Sequence, residues 1–261
     1  MVSPAYPRYG LKDIMAQSVI PPPVEPVKPV EPIEVDVSDL VTEDDTPVDN
    51  LFSEKQQRLL TESLYNSWTP TEADPPRKFL AAANVGLFPS RRQAPLVPDV
   101  FLSLDVEVAE DWWDKNHRSY FFWEFGKAPE VVVEIVSNRK GGELGSKLQA
   151  YARAGVSYYV VYDPTKQLGD DVLSAYELYV GKYQGRSDSN LPGIGLGLRL
   201  WEGIYEGKQA TWLRWYDAQG QLISTGAERA AREAERAARE AERAGRLAAK
   251  LRELGVDPDQ L

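Results

Sequence analysis

Cysteine is absent from the 261 residues, and histidine occurs once, at His117. The first absence excludes disulfide cross-links and thiolate chemistry. The two together exclude zinc sites built from several Cys or His ligands and nucleases that need more than one histidine. A Ser-His-Asp triad would have to use His117, and no nucleophile-elbow pattern accompanies it. No apolar run is long enough to span a membrane and no signal-peptide pattern opens the chain, so a cytoplasmic protein is expected. A basic excess is missing as well. The formal net charge is −10, which argues against a generally basic nucleic-acid binder. That charge is unevenly placed: Glu25 to Asp49 carries nine acids against Lys28 alone. The remainder is only mildly acidic and can hold a local basic groove.

What is present centres on the stretch from Glu130 to Tyr162. Val131 to Val136 is a nearly continuous β-branched run, the pattern of a strand covered on both faces. Glu134 interrupts it, and a carboxylate there is costly unless paired, protonated or bound to a cation. Leu144, Lys147, Leu148 and Tyr151 then recur at helical spacing, so one helix face is expected to carry a lysine toward the sheet. Gly155 stops that helix. Ser157 to Tyr162 returns as a second strand, which completes a βαβ unit with a parallel pair.

Elsewhere the chain divides by composition. Residues 1–50 are rich in proline and acid and are expected to form a disordered arm. An α/β domain is expected over 51–226. Ser53 is the candidate N-cap of its first helix, with Gln57, Leu60, Leu64 and Trp68 on one side. Strands are expected over 79–88, where small residues break the run, and over 96–104, 120–125, 172–183, 198–201 and 210–216, with a last short one at 221–224. Proline at 98 suits an edge or a strand start. From 227 to 255 alanine recurs with a seven-residue period, flanked by Glu and Arg at helical spacing. A seam of alanines buries little area, so this helix is expected either to stand free or to pair two copies of the chain as a homodimer. Residues 256–261 form a tail.

Three polar groups do not fit their apolar surroundings: Asp99 after Pro98, Glu134 in mid-strand and Lys147 on the inward helix face. Two acids and a lysine on neighbouring elements suit a metal-dependent phosphodiesterase, with the acids and the Ile135 backbone carbonyl holding Mg²⁺ or Mn²⁺. The lysine would orient or deprotonate water, or neutralise charge on the phosphate. A turn acid at Asp99 and a metal-free Glu134–Lys147 ion pair are the competing readings. Glu62 on the first helix is a possible additional acid. Arg91, Arg92, Arg139 and Lys140 are candidate phosphate contacts, and His117 reads as a surface residue.

Pro98-Asp99, Glu134-Ile135-Val136-Ser137, Lys147 with Tyr151, Gly155-Val156 and Tyr158-Tyr159-Val160-Val161 together resemble the Uma-two family of restriction-endonuclease-like proteins. That family lies within the PD-(D/E)XK nuclease superfamily. The resemblance covers roughly 53–215 and extends to the alanine-rich tail. It implies a restriction-endonuclease-like mixed sheet flanked by helices, and a magnesium-dependent endonuclease acting on DNA, with RNA as an alternative substrate. Two positions depart from the wider pattern. Val136 stands where a lysine is expected two residues after the second acid, and the resemblance gives that role to Lys147. Tyr159 stands where the family commonly has Trp. The alternative within the same fold is a catalytically inactive nucleic-acid-binding or assembly module.

Overall fold

The computed structural model describes residues 50–70, 76–137 and 142–254. The acidic arm 1–49, Arg139, Lys140 and the tail 256–261 lie outside the described residues. The chain opens with helix α1, Leu51–Ser67. Its N-cap is Asn50, not Ser53: the Asn50 side chain accepts from the amides of Phe52 and Ser53, both at 3.0 Å, and Ser53 is buried inside the first turn. Both residues are competent caps, and the one placed where the extended chain enters the helix takes the position.

Strands β1 (Phe79–Ala83), β2 (Leu87–Phe88) and β3 (Val100–Leu104) follow, then β4 (Tyr120–Phe121) and the helical turn α2 (Phe122–Phe125). The run over 79–88, expected as a strand broken by small residues, is two strands. The run over 120–125 keeps only its first two residues extended, because Gly126 at φ 73° closes a helical turn behind them. Next come β5 (Val131–Ile135), α3 (Leu148–Ala154) and β6 (Tyr158–Tyr162), which is the expected βαβ unit. Gly155 ends α3 at φ 85°. The chain continues through β7 (Leu173–Tyr179), β8 (Lys182–Gly185), β9 (Asn190–Leu191), β10 (Leu196–Tyr205) and β11 (Lys208–Asp217) to the long helix α4 (Gly226–Glu253). The strand expected over 172–183 is a hairpin, turned at Val180 and Gly181, both at positive φ. That two-residue turn matches the twist of its flanking strands. Residues 221–224 make only an isolated bridge, Tyr216 to Leu222.

Six strands form the main sheet in the order β1-β3-β5-β6-β7-β8. Only β5 and β6 run parallel in it. β3 is interior, so Pro98 stands just ahead of the strand instead of marking an edge. The residues of β5 alternate between two cores. Val131, Val133 and Ile135 face one that contains Leu60 and Leu64 of α1, with Leu196, Leu198, Leu213 and Trp215 of the second sheet, β11-β10-β9. Val132 faces another that includes Tyr151, Val156, Tyr159 and Val161. This double coverage explains why β5 lacks the polar alternation of a half-exposed strand.

The second sheet docks on α1 through a buried glutamine. Gln56 donates to the Leu213 carbonyl at 2.8 Å and accepts from the Leu213 amide at 2.9 Å. One side chain therefore pairs both backbone groups on the open edge of β11. Trp215 adds a bond from its indole to the Leu60 carbonyl at 2.9 Å. α4 starts at a capping box formed by Thr225 and Glu228, and Glu228 also pairs with the buried guanidinium of Arg214 at 2.6 Å. Beyond its first turns the charges of α4 pair within the helix at i,i+4 spacing, and none of its described side chains is buried. Among the described residues no helix is long and apolar enough to cross a membrane.

Candidate active site

The antiparallel register of β3 and β5 pairs Val100 with Val133 and Phe101 with Val132. One step further, this register sets Asp99 across from Glu134. Two carboxylates far apart in sequence are thereby neighbours at one end of the sheet. The Asp99 carboxylate is anchored on both oxygens. It accepts from the Ile135 amide at 2.5 Å and from the Gln57 side chain at 3.0 Å. Gln57 is itself held by Asn84, whose amide nitrogen donates to it at 3.0 Å. Asn84 sits at φ 55°, a left-handed conformation that asparagine tolerates better than most residues.

Glu134 is 1% exposed. Its two oxygens are held from above by the segment that follows β5. Lys147 donates to one at 2.7 Å and the Tyr151 hydroxyl to the other at 2.8 Å. Both donors come from a helical segment whose first turn, Glu143–Lys147, is a π-turn that runs into α3. Wide turns of this kind are rare and concentrate at functional sites. Here the turn presents Glu143 inward and leaves Leu144 exposed, which reverses the expected helix face at its first position. The Glu143 carbonyl is pinned by the Tyr159 hydroxyl at 2.9 Å.

Burial pushes the Glu134 carboxyl above the usual carboxylate range, an effect that Lys147 and Tyr151 only partly offset. For Lys147 burial works against the charge. Attraction to Glu134, with smaller contributions from Glu143 and Asp99, overcomes it and raises the lysine. Burial also pushes the Tyr151 hydroxyl well up, with Glu134 adding to the effect, so it stays protonated and donating. These shifts have opposite consequences for stability. Glu134 prefers its neutral form in the fold, so its ionisation costs stability as pH rises through the acid range. The Lys147 contribution is fully present below the ordinary lysine value of 10.5 and is lost as pH climbs through the raised one. Replacing Lys147 with methionine should therefore flatten the alkaline limb of melting temperature against pH, leaving a smaller loss above 10.5 than the unsubstituted protein shows.

The structure brings Asp99, Glu134, Ile135 and Lys147 together. It places Glu62 elsewhere: that carboxylate accepts from the Gly226 amide at 2.8 Å and from Asn66 at 2.7 Å, at the start of α4. The first-helix residue that reaches Asp99 is Gln57. Arg91 and Arg92 are exposed in the turn between β2 and β3. His117 lies in a surface turn, its Nδ1 at 2.7 Å from the Asp111 carbonyl. Sequence reasoning did not assign Gln57, Asn84 or Glu143 to the site. For Glu143 a signal existed, since it lies four residues before Lys147 as Tyr151 lies four after.

The donor set suits a hard cation. It is carboxylate oxygen, without thiolate or imidazole. Each oxygen of Asp99 and Glu134 takes one protein donor in the bonds above, and an ionised carboxylate oxygen can accept more than one. Among the described residues no three His, Cys, Asp or Glu side chains form a cage. Magnesium requires none, since it commonly binds through one or two carboxylates and keeps several waters.

Comparison with known families finds one match relevant to this geometry. The model of the Uma2 family, described as a putative restriction endonuclease, matches residues 43–189, just over half of the chain. The matched range contains Asp99, Glu134 and Lys147. No curated protein matches the chain.

Proposed function

The chain belongs to the Uma2 family of restriction-endonuclease-like proteins, and on that premise we propose that it is an endonuclease hydrolysing phosphodiester bonds of DNA with Mg²⁺ or Mn²⁺. The observation that carries this reading is Glu134, a carboxylate 1% exposed in an interior strand and clamped by a lysine and a tyrosine. A buried ion pair of this kind adds little or nothing to stability compared with apolar packing, so a purely structural purpose explains it poorly.

In this reading Asp99 and Glu134 would hold the metal with the Ile135 carbonyl. When bound, the divalent cation supplies charge neutralisation at the scissile phosphate. Lys147, protonated near neutral pH, orients the attacking water or donates to a phosphate oxygen as charge builds there. Tyr151 holds one oxygen of Glu134, and the Gln57–Asn84 pair holds one oxygen of Asp99. Arg91 and Arg92 are proposed phosphate contacts, as are Arg139 and Lys140, which lie outside the described residues. RNA offers the same phosphodiester chemistry and is the alternative substrate.

The test is incubation of the purified full-length protein with plasmid DNA, single-stranded DNA and RNA, in Mg²⁺ or Mn²⁺ against EDTA. DNA cleavage that needs metal and disappears in the Asp99→Ala, Glu134→Ala double variant is expected. Cleavage surviving that double substitution would sink the assignment.

One observation favours the second reading, a catalytically inactive nucleic-acid-binding or assembly module: both Glu134 oxygens already take protein donors, from Lys147 and Tyr151. Such a module would show no Mg²⁺-linked rise in melting temperature. In either reading α4 stands as an appendage to the domain at 51–226. Its alanine seam, exposed along the helix, is the surface through which two copies would pair. Sedimentation at micromolar concentration checks this, and a monomer that persists there removes the homodimer.

A further inference from the structure

We infer that Glu143 is the alternative counter-ion of Lys147, receiving its ammonium when Glu134 turns to a divalent cation. The inference rests on the metal-binding reading of Asp99 and Glu134 and assigns Glu143 a positioning role in that site.

Glu143 is 5% exposed, and its Oε2 is buried without a hydrogen-bond partner. Leaving a buried carboxylate oxygen unpaired is unfavourable, and native structures rarely do so without a reason. Its Oε1 lies 3.7 Å from the Lys147 amine, which meanwhile bonds Glu134 at 2.7 Å. The ammonium thus lies between two buried acids and is bonded to one of them. A shift on the order of 1 Å would bring it into hydrogen-bond range of the other. The backbone need not move, because the Tyr159 hydroxyl fixes the Glu143 carbonyl. The lysine side chain is 33% exposed, so it has room at the mouth of the site.

The driving force is like-charge repulsion. An ammonium and a divalent cation cannot share the Glu134 carboxylate without opposing each other across a short distance in a partly dry site. Either the lysine loses its charge or it moves to another anion. Glu143 provides that anion, and it keeps the lysine charged and close to where phosphate charge develops. Without Glu143 the nearest counter-ion of the ammonium is Glu134, and it competes there with the metal.

The experiment is a Mg²⁺ titration of the full-length protein followed by melting temperature, with Mn²⁺ calorimetry as an independent readout; neither needs catalysis. Glu143→Gln should weaken apparent metal affinity by about 10-fold or more, the usual range for a group acting behind a ligand. Glu143→Asp should recover part of that loss. Lys147→Met should bind metal at least as tightly as the unsubstituted protein, and adding Glu143→Gln to it should change affinity less than about twofold, since the competitor is gone. Unchanged affinity in Glu143→Gln overturns the inference. So does an equal loss in the Lys147→Met background, which would mean that Glu143 acts on the metal directly or only supports the fold. If Glu143→Gln does not fold, the Glu143→Asp and Lys147→Met pair decides by the same comparison. An unsubstituted protein that shows no metal-linked shift overturns the metal site itself, whereas a normal shift with an indifferent Glu143 overturns only its role.

Discussion

Glu134→Gln is expected to remove metal-dependent cleavage while leaving the fold nearly as stable as before. Glutamine has the shape of the glutamate it replaces. Its carbonyl can accept from Lys147, and its amide can donate to the Tyr151 oxygen, so both existing contacts keep a partner. The buried charge is gone, and with it the desolvation that holds the Glu134 carboxyl above its usual range. Lys147 is not stranded, because Glu143 lies 3.7 Å away. Stability in EDTA should therefore change by no more than about 1 kcal/mol, the scale of a single neutral hydrogen bond. Activity follows different physics. The amide is a poor ligand for a hard cation, and losing one preorganised electrostatic group typically costs about 10²–10³-fold. A plasmid-nicking assay and thermal melts with and without Mg²⁺ check both halves. Activity within tenfold of the unsubstituted protein would remove Glu134 from the chemistry. A collapse of stability would show that the pair serves the fold.

Gln56→Leu is the counterpart with the largest expected effect on stability. Leucine fits the apolar surroundings but cannot bond, and the amide and carbonyl of Leu213 then lose the partner they now share. Each buried backbone group left unpaired costs about 1–3 kcal/mol, so for the two a loss of about 2–6 kcal/mol is expected. The loss should show as a lower denaturant midpoint with an unchanged slope. It also loosens α1 from the second sheet, and α1 carries Gln57, which holds Asp99. Weaker metal affinity should therefore accompany the lower stability. A midpoint that does not move would show that solvent reaches the β11 edge and that the glutamine is dispensable.

The two neighbouring glutamines show where sequence reading reaches its limit. Helical spacing puts Gln57 on one side of α1 with Leu60 and Leu64, and the structure buries all three. Nothing in that spacing shows that Gln56 also turns inward to a strand 157 residues away. Glu62, chosen as the acid on the same helix, faces the start of α4 instead. Its register around α1 is set by what packs there, and a pattern of polar residues on a helix does not identify the partner. The hairpin at Val180-Gly181 was missed for a related reason: the alternation of the two strands runs through the turn, and a single glycine is weak punctuation.

Other parts were legible because they depend on the local chain alone. The β-branched run of β5, the stop at Gly155, the return through β6 and the alanine period of α4 each follow from side-chain shape and spacing within a few residues. The misfit of an acid inside β5 was visible for the same reason, and so was the choice of Lys147 as its partner, one helical turn before Tyr151. Tertiary structure alone decided which groups surround that acid. The register between β3 and β5 brings Asp99 alongside it, a left-handed Asn84 steadies Gln57 against Asp99, and a π-turn rotates Glu143 inward in place of Leu144. Those choices depend on pairings between segments distant in the chain, where the energy comes from burying and satisfying polar groups together, and no single segment contains that information.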